Sequence, residues 1–219
     1  MKLYTFVFLL LCCANVFAQR ANIGFRGGIS WSEYRGKDFK DTAAYFNSRV
    51  QPTFGVFANY YLDKYLWIKT EFNYMNRSFS RTDSDGQVLR ENYYYLDIHP
   101  ITPSFHFKGF QAFVGPAVSL LLISKKDSVE SLTGSIKTYS DVNMVNKNRY
   151  DLGFVAGIEY EFKERYNIGF RYTHGFTSIF QTPLGAEKNT QWYNQSFLFT
   201  IGYSFGIKSE VSEIDYRGN

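Results

Sequence analysis

From Asn22 to Phe205, apolar or aromatic residues alternate with small or polar ones in about eight stretches, and the connections between the stretches alternate long and short. In the last stretch Phe197, Phe199, Ile201, Tyr203 and Phe205 share one parity, while Leu198, Thr200, Gly202 and Ser204 take the other. Successive side chains of a strand point to opposite faces, so the pattern predicts strands with one greasy and one polar face. The stretches run Asn22 to Ser32, Val50 to Tyr61, Leu66 to Phe79, Asn92 to Phe107, Phe110 to Ile123, Arg149 to Phe162, Tyr166 to Ile179 and Asn194 to Phe205. Tight turns are expected at Leu62 to Tyr65, Lys108-Gly109 and Lys163 to Arg165. The longer polar connections are Glu33 to Arg49, Ser80 to Glu91 with Asp85-Gly86 at its tip, Ser124 to Asn148, and Phe180 to Tyr193.

Short turns at one end and long loops at the other are the mark of outer-membrane barrels, and an even strand number closes the sheet with no unpaired edge in lipid. The fold expected is all-β: an eight-stranded antiparallel up-and-down transmembrane β-barrel over residues 19–205. A tilted spanning strand needs roughly 9–11 residues, which every stretch supplies. The greasy parity then faces lipid and the polar parity fills a narrow lumen. Pro100, Pro103 and Pro116 fit poorly in regular central strands and are read as marks of bulges.

Composition supports export to an envelope. Met1 to Ala18, with Lys2, the apolar run Phe6 to Leu11 and the small-residue end Val16-Phe17-Ala18, reads as a cleaved signal peptide, with Gln19 the new first residue. Its apolar run is too short to span a bilayer as a helix. Both cysteines, Cys12 and Cys13, fall in this leader, so the mature chain is expected to have no disulfide, redox or thiolate metal centre. The formal charge of +4 becomes +3 without Lys2 and is spread along the chain, so nucleic acid is not an expected partner. Gly206 to Asn219 reads as a polar periplasmic tail.

Particular segments carry a resemblance. Ile23-Gly24-Phe25-Arg26-Gly27-Gly28, Tyr95 to Pro100, Gly115-Pro116, Asp151 to Gly157, Arg171-Tyr172 and Gly202-Tyr203-Ser204-Phe205 resemble the PorT-like outer-membrane β-barrel family, small barrels of the OmpA or OmpX type. The resemblance implies a bacterial outer-membrane protein with both termini in the periplasm, folded by the barrel-assembly machinery and surrounded by outer-membrane lipid. One branch of that family is linked to type IX secretion and gliding, which makes an envelope or secretion-complex protein a candidate partner. The chain departs from the pattern in continuing beyond Phe205, where a terminal aromatic would ordinarily end it.

Candidate chemistry is confined to the lumen and the loops. The inward parity collects Arg26, Lys69, Glu71, Arg77, Asp97, His99, Asp151, Glu159 and Arg171. An eight-stranded barrel is just wide enough for side chains to fill it, so these charges must pair or be hydrated. They are read as a salt-bridged plug, with an ion-exchanging gate as the alternative. Asp97 and His99 form the one acid-histidine pair on a strand face, but a hydrolase also needs a nucleophile, and Ser104 is expected on the opposite parity. His106 and His174 are expected outward, near strand ends.

Trp31, Tyr60, Tyr61, Tyr65, Trp67, Tyr93 to Tyr95, Tyr166 and Tyr193 are read as an interfacial girdle, with sugar stacking by Trp192 and Tyr193 the alternative. Inward Gly24, Gly28, Gly115, Gly153, Gly157, Gly169 and Gly202 are expected to relieve crowding. No catalytic residue, metal site or cofactor is assigned, since no histidine pair has ligand spacing and Gly24 to Gly27 lacks the lysine and helix of a phosphate loop. The function expected is a structural or partner-binding role through the loops. A narrow pore for ions or small solutes is the first alternative, and a lipid-modifying enzyme the second.

Overall fold

The computed structural model describes residues 21–35, 46–82, 88–129, 136–141, 148–163, 165–179 and 192–205. The leader over Met1 to Ala18, the tail over Gly206 to Asn219 and the Asp85-Gly86 tip lie outside the described residues. Ten strands form one sheet: β1 (Ala21–Arg35), β2 (Phe46–Ser48), β3 (Val50–Tyr61), β4 (Leu66–Thr82), β5 (Val88–Phe107), β6 (Phe110–Val129), β7 (Ile136–Asp141), β8 (Tyr150–Phe162), β9 (Tyr166–Gly175) and β10 (Tyr193–Phe205). Eight of them run around the wall in the order β1-β3-β4-β5-β6-β8-β9-β10, and β10 returns to pair with β1, from Ile23 opposite Phe205 to Arg35 opposite Tyr193. Every pairing is antiparallel. The expected eight-stranded closed barrel is the fold, and β2 and β7 are short additions to it.

The burial pattern is inverted relative to a water-soluble protein. Phe25, Ile29, Phe54, Val114, Phe199 and Ile201 are about half exposed on the outer face, while Lys69 and Arg171 are fully buried inside. A sheet closed on itself with charge within and contiguous apolar side chains without is stable only where lipid, not water, covers the outside. The outer face is also continuous in aromatic contacts, as in Phe54 stacked on Tyr74 at 5.0 Å and Phe110 against Tyr160 at 4.6 Å. A closed barrel of this kind should migrate anomalously on a detergent gel until boiled; identical mobility before and after heating would count against closure.

Short connections gather at one end, here the turn end. Lys108 and Gly109 both hold positive φ, 47° and 84°, the left-handed conformation a two-residue hairpin turn requires, and Gly adopts it without steric cost. Ala21 and Phe205 lie at the same end. At the opposite loop end the strands are longer than the sequence pattern predicts. The connection expected over Ser80 to Glu91 is mostly strand, with Arg81 opposite Leu89 and Thr82 opposite Val88. Likewise β6 continues to Val129 and pairs with β7 inside the expected Ser124 to Asn148 loop. Strand above a bilayer has water on its outer face and needs no apolar parity, so its sequence resembles a loop.

Two bulges set the register. Pro100 and Ile101 are both outward, and between the pairs His99–Glu71 and Thr102–Lys69 these two residues of β5 stand opposite Thr70 alone. Pairing of β5 with β6 lapses over the same stretch, between Ile98 and Ser104. The prolines explain the site: Pro100, Pro103 and Pro116 have no N–H to give a ladder, and the three cluster on the two facing strands. The Pro100 carbonyl instead accepts from Thr70 Oγ1 at 2.8 Å. On its other side, Pro116 pairs with Phe154 in unbroken register, so it marks no bulge of its own. The second bulge is at Leu122, where Tyr94 faces Ile123 but Tyr95 faces Leu121.

Candidate functional site: the filled lumen

All nine inward charges named from the sequence are buried in the barrel, none more than 6% exposed. They form two groups. In the first, Glu71 of β4 is the hub. Its carboxylate lies 2.8 Å from Arg26 Nη2 of β1, 3.5 Å from Lys69 Nζ and 3.3 Å from Arg171 Nε of β9, and 3.0 Å from His99 Nδ1 of β5. Glu159 of β8 is the second acceptor, taking Lys69 Nζ at 2.6 Å and a close contact from Arg171 Nη2. Arg171 Nη1 also donates to Thr200 Oγ1 of β10 at 2.6 Å. Two phenyl rings wall this group: Phe57 of β3 lies 4.5 Å under the Arg26 guanidinium, and Phe113 of β6 lies 5.0 Å from Lys69 Nζ. Every strand of the eight thus contributes to one layer.

The second group lies nearer the loop end. Arg77 of β4 meets both oxygens of Asp97 at 2.9 and 3.0 Å, donates to Ser119 at 3.1 Å, reaches Asp151 at 3.6 Å and stacks over Tyr95 at 4.4 Å. Asn194 Nδ2 gives Asp151 a further bond at 2.8 Å. The first group holds three cations against two carboxylates, the second one cation against two, so across both the formal charges balance with His99 set aside. Balance between the two layers meets the condition for burying charge, because an unpaired ion would cost several kcal/mol.

Above the second group sits a layer that the sequence reading placed elsewhere. Tyr34, Phe79, Tyr93, Tyr95, Leu121 and Ile179 pack into one buried cluster, with Trp192 against it. Tyr34 and Phe79 are 4.2 Å apart, ring to ring. Tyr93 and Tyr95, expected in the girdle, are therefore inside, as are Tyr61 and Trp67 at the turn end. Their own parity says so, since Tyr93 and Tyr95 alternate in step with Asp97 and His99, and Trp67 in step with Lys69. Trp31, Tyr65 and Tyr166 are outward as expected, and Trp192 is packed on the cap and not presented as an open sugar platform.

Ser104 and His106 require correction for a different reason. The Ile101 bulge reverses parity beyond it and brings both inside, at 4% and 3% exposure. His106 stacks on Trp67 at 4.0 Å, and the Ser104 hydroxyl donates to the Trp67 carbonyl at 3.2 Å while accepting from Gln111 at 2.8 Å. His99 does not meet a serine: Nδ1 goes to Glu71 and Nε2 has no hydrogen-bond partner. Nor do Asp97 and His99 act as a pair, since Asp97 goes to Arg77 and His99 to Glu71. His174 is outward, beside Tyr172 and Phe154. Among the described residues no group of three His, Cys, Asp or Glu is placed to hold a metal ion.

The glycines show how little room is left. A Cβ on Gly157 would lie 2.6 Å from the Phe113 ring, and one on Gly169 would lie 2.7 Å from Arg171 Nη1. Gly175, which the sequence reading passed over, faces the Asp151 carboxylate so closely that Gly175→Ala should push Asp151 off Asn194 and Arg77. The expected loss is about 1–3 kcal/mol, read from the urea midpoint of the vesicle-inserted barrel.

The model of the outer membrane protein beta-barrel domain matches residues 17–181. Among solved structures, Ail, the attachment invasion locus protein of Yersinia pestis, in complex with sucrose octasulfate, is similar at 12% identity and a TM-score of 0.49, covering 85% of this chain and 99% of that one. OprG of Pseudomonas aeruginosa gives 11% identity and a TM-score of 0.42 over 86% and 97%. Neisserial surface protein A gives 10% and 0.42 over 84% and 97%. No curated protein matches the chain in sequence.

Proposed function

The chain belongs to the outer membrane protein beta-barrel domain family, and from that premise we propose that it is a structural or partner-binding barrel that acts through its loop-end connections. One observation carries this reading: the lumen is occupied from strand to strand by paired charges and is covered toward the loops by packed aromatic rings. A filled interior favours function on the surfaces that remain, and exposed connections on a rigid scaffold are where binding residues concentrate. In this reading the leader is cleaved after Ala18, the barrel-assembly machinery inserts the chain, the turn end and the 206–219 tail are periplasmic, and an envelope or secretion-complex protein meets the loop end. The PorT-like motifs quoted above support that placement.

Purified protein should insert into planar lipid bilayers without single-channel current, and chemical crosslinking of whole envelopes should capture a protein partner that is lost when residues 130–135 are replaced by a short glycine linker. Discrete conductance steps from the pure protein would refute the reading in favour of a pore. A change in lipid A on overexpression that disappears in His99→Ala would refute it in favour of an enzyme.

A further inference from the structure

The two ends of the lumen are closed in different ways. At the loop end the cap is built of phenol, phenyl, indole and aliphatic side chains, none of which changes charge near neutral pH. At the turn end Tyr61 meets Trp67 edge to face at 4.5 Å, and His106 lies nearly parallel to Trp67, with centroids 4.0 Å apart and planes 13° apart. The turn-end closure therefore contains a side chain of the one type that ordinarily titrates between about pH 5 and 8.

The charges around His106 decide which form it takes. Across from it on β6 is Gln111, and beyond Gln111 on β8 are Glu159 and, one inward place nearer the turns, Glu161. Glu161 is buried, and its N–H donates to the Gly109 carbonyl at 2.8 Å, which sets it beside the turn that follows His106. The inward cation at this end is Lys69, one inward place along β4 from Trp67, and it is drawn to Glu159 at 2.6 Å and Glu71 at 3.5 Å. The turn cations face elsewhere: Lys64 lies over the outward Tyr65 ring and Lys108 over the outward Phe107 ring, Arg165 donates to the Tyr203 hydroxyl, and Lys163 is exposed. Among the described residues the buried carboxylates are Glu71, Asp97, Asp151, Glu159 and Glu161, and the buried Lys and Arg side chains are Arg26, Lys69, Arg77 and Arg171. Glu161 thus leaves the interior one positive charge short, and one proton on a buried imidazole restores neutrality. His99 is a poor seat for it, since three cations already surround the carboxylate that its Nδ1 meets. His106 is the other buried imidazole, and an indole face favours a cation.

We propose that His106 is a proton-operated latch on the turn end of the lumen. Its imidazolium, seated on Trp67 and balancing Glu161, holds that end shut, and loss of the proton loosens that end alone. The ionic groups and the loop-end cap keep their own partners, so the barrel stays closed above.

The test is NMR of the full barrel in lipid nanodiscs with nitrogen-15-labelled histidine, because the ring nitrogens of imidazolium and imidazole resonate far apart. The three histidines are assigned by the signals lost in His174→Gln and in either His106→Gln or His99→Gln, whichever folds. His106 should be imidazolium at about pH 7 and lose one proton in a single step by about pH 9, while His99 stays neutral. Over that step acrylamide quenching of Trp67, read with Trp31→Phe and Trp192→Phe in place, should rise at least about threefold as the end opens locally. His106→Arg should stay shielded at both pH values, since a guanidinium stacks on an indole and keeps its charge. His106→Phe keeps the stack without the charge and should show no pH response. The proposal fails if His106 is neutral at pH 7, or if shielding of Trp67 does not follow its titration. It fails equally if the pH response persists in His106→Phe, which would assign it to another lumen group. Should His106→Phe not fold, Glu161→Gln decides: His106 should then lose its proton at lower pH, and an unmoved titration overturns the proposal.

Discussion

Glu71→Ala should lower the stability of the inserted barrel by about 3–5 kcal/mol, the cost of removing one member of a buried ionic arrangement and leaving its partners unpaired. Four groups converge on this carboxylate: the cations Arg26, Lys69 and Arg171, and His99, which donates through Nδ1–H. Without it, three buried cations share Glu159 alone. Urea titration of protein in lipid vesicles, followed by tryptophan fluorescence, measures the loss directly. Glu71→Gln should fall between wild type and alanine, because the amide keeps the shape and a hydrogen bond to His99 but not the charge. Glu71→Ala combined with Arg171→Met should recover part of the loss, since it removes one of the stranded cations while retaining an unbranched stem to pack against Phe113. If Glu71→Ala stayed within about 0.5 kcal/mol of wild type, as an exposed substitution would, the lumen would have to be well hydrated, and the argument for a filled, silent barrel would weaken with it.

The location of that network was legible because alternation is a strict rule within one uninterrupted strand. Once Phe25 and Ile29 were assigned to lipid, Arg26 had to be inside; once Ile68 and Phe72 were, so were Lys69 and Glu71. Closure brought these residues together without further information, because eight inward faces share one narrow space. What the parity could not give was pairing. Asp97 and His99 look like partners along their own strand, but in the barrel each finds an opposite charge across the lumen, Arg77 for one and Glu71 for the other. The aromatic cap is legible in part: Tyr93 and Tyr95 sit on the charged parity, and in a narrow closed barrel parity outranks the tendency of aromatic residues to gather at interfaces. Ile179 ends the predicted Tyr166 to Ile179 stretch on the inward parity of Arg171, whereas Trp192 lies outside every predicted stretch and no periodicity governs it. Likewise the strands above the bilayer, with water on one side, lack the apolar parity that would distinguish them from loops.

Inserting one alanine between Thr102 and Pro103 should abolish assembly, the largest effect expected of a single-residue change in this chain. The extra residue already present in β5 is Ile101: it repeats the outward orientation of Pro100, so that Thr102, Ser104 and His106 face inward while Pro103, Phe105 and Phe107 face lipid. Deleting Ile101 would restore strict alternation from Asp97 onward and leave all of these faces as they are, with His99 still opposite Glu71 and Thr102 still opposite Lys69, so that deletion should assemble. The insertion has the opposite effect, because a one-residue change of register turns every later side chain to the other face. His106 would then leave the Trp67 ring for the hydrocarbon, the Ser104 hydroxyl would lose both Gln111 and the Trp67 carbonyl, and Pro103, Phe105 and Phe107 would enter a lumen in which the glycines already leave no room for a Cβ. The observable is loss of the heat-modifiable form in outer membranes and in vitro refolding, against the Ile101 deletion, which should keep it. Normal assembly of the insertion would mean that the seam between β5 and β6 absorbs a second bulge and that the Lys108-Gly109 turn, not the strand alternation, sets the faces beyond it.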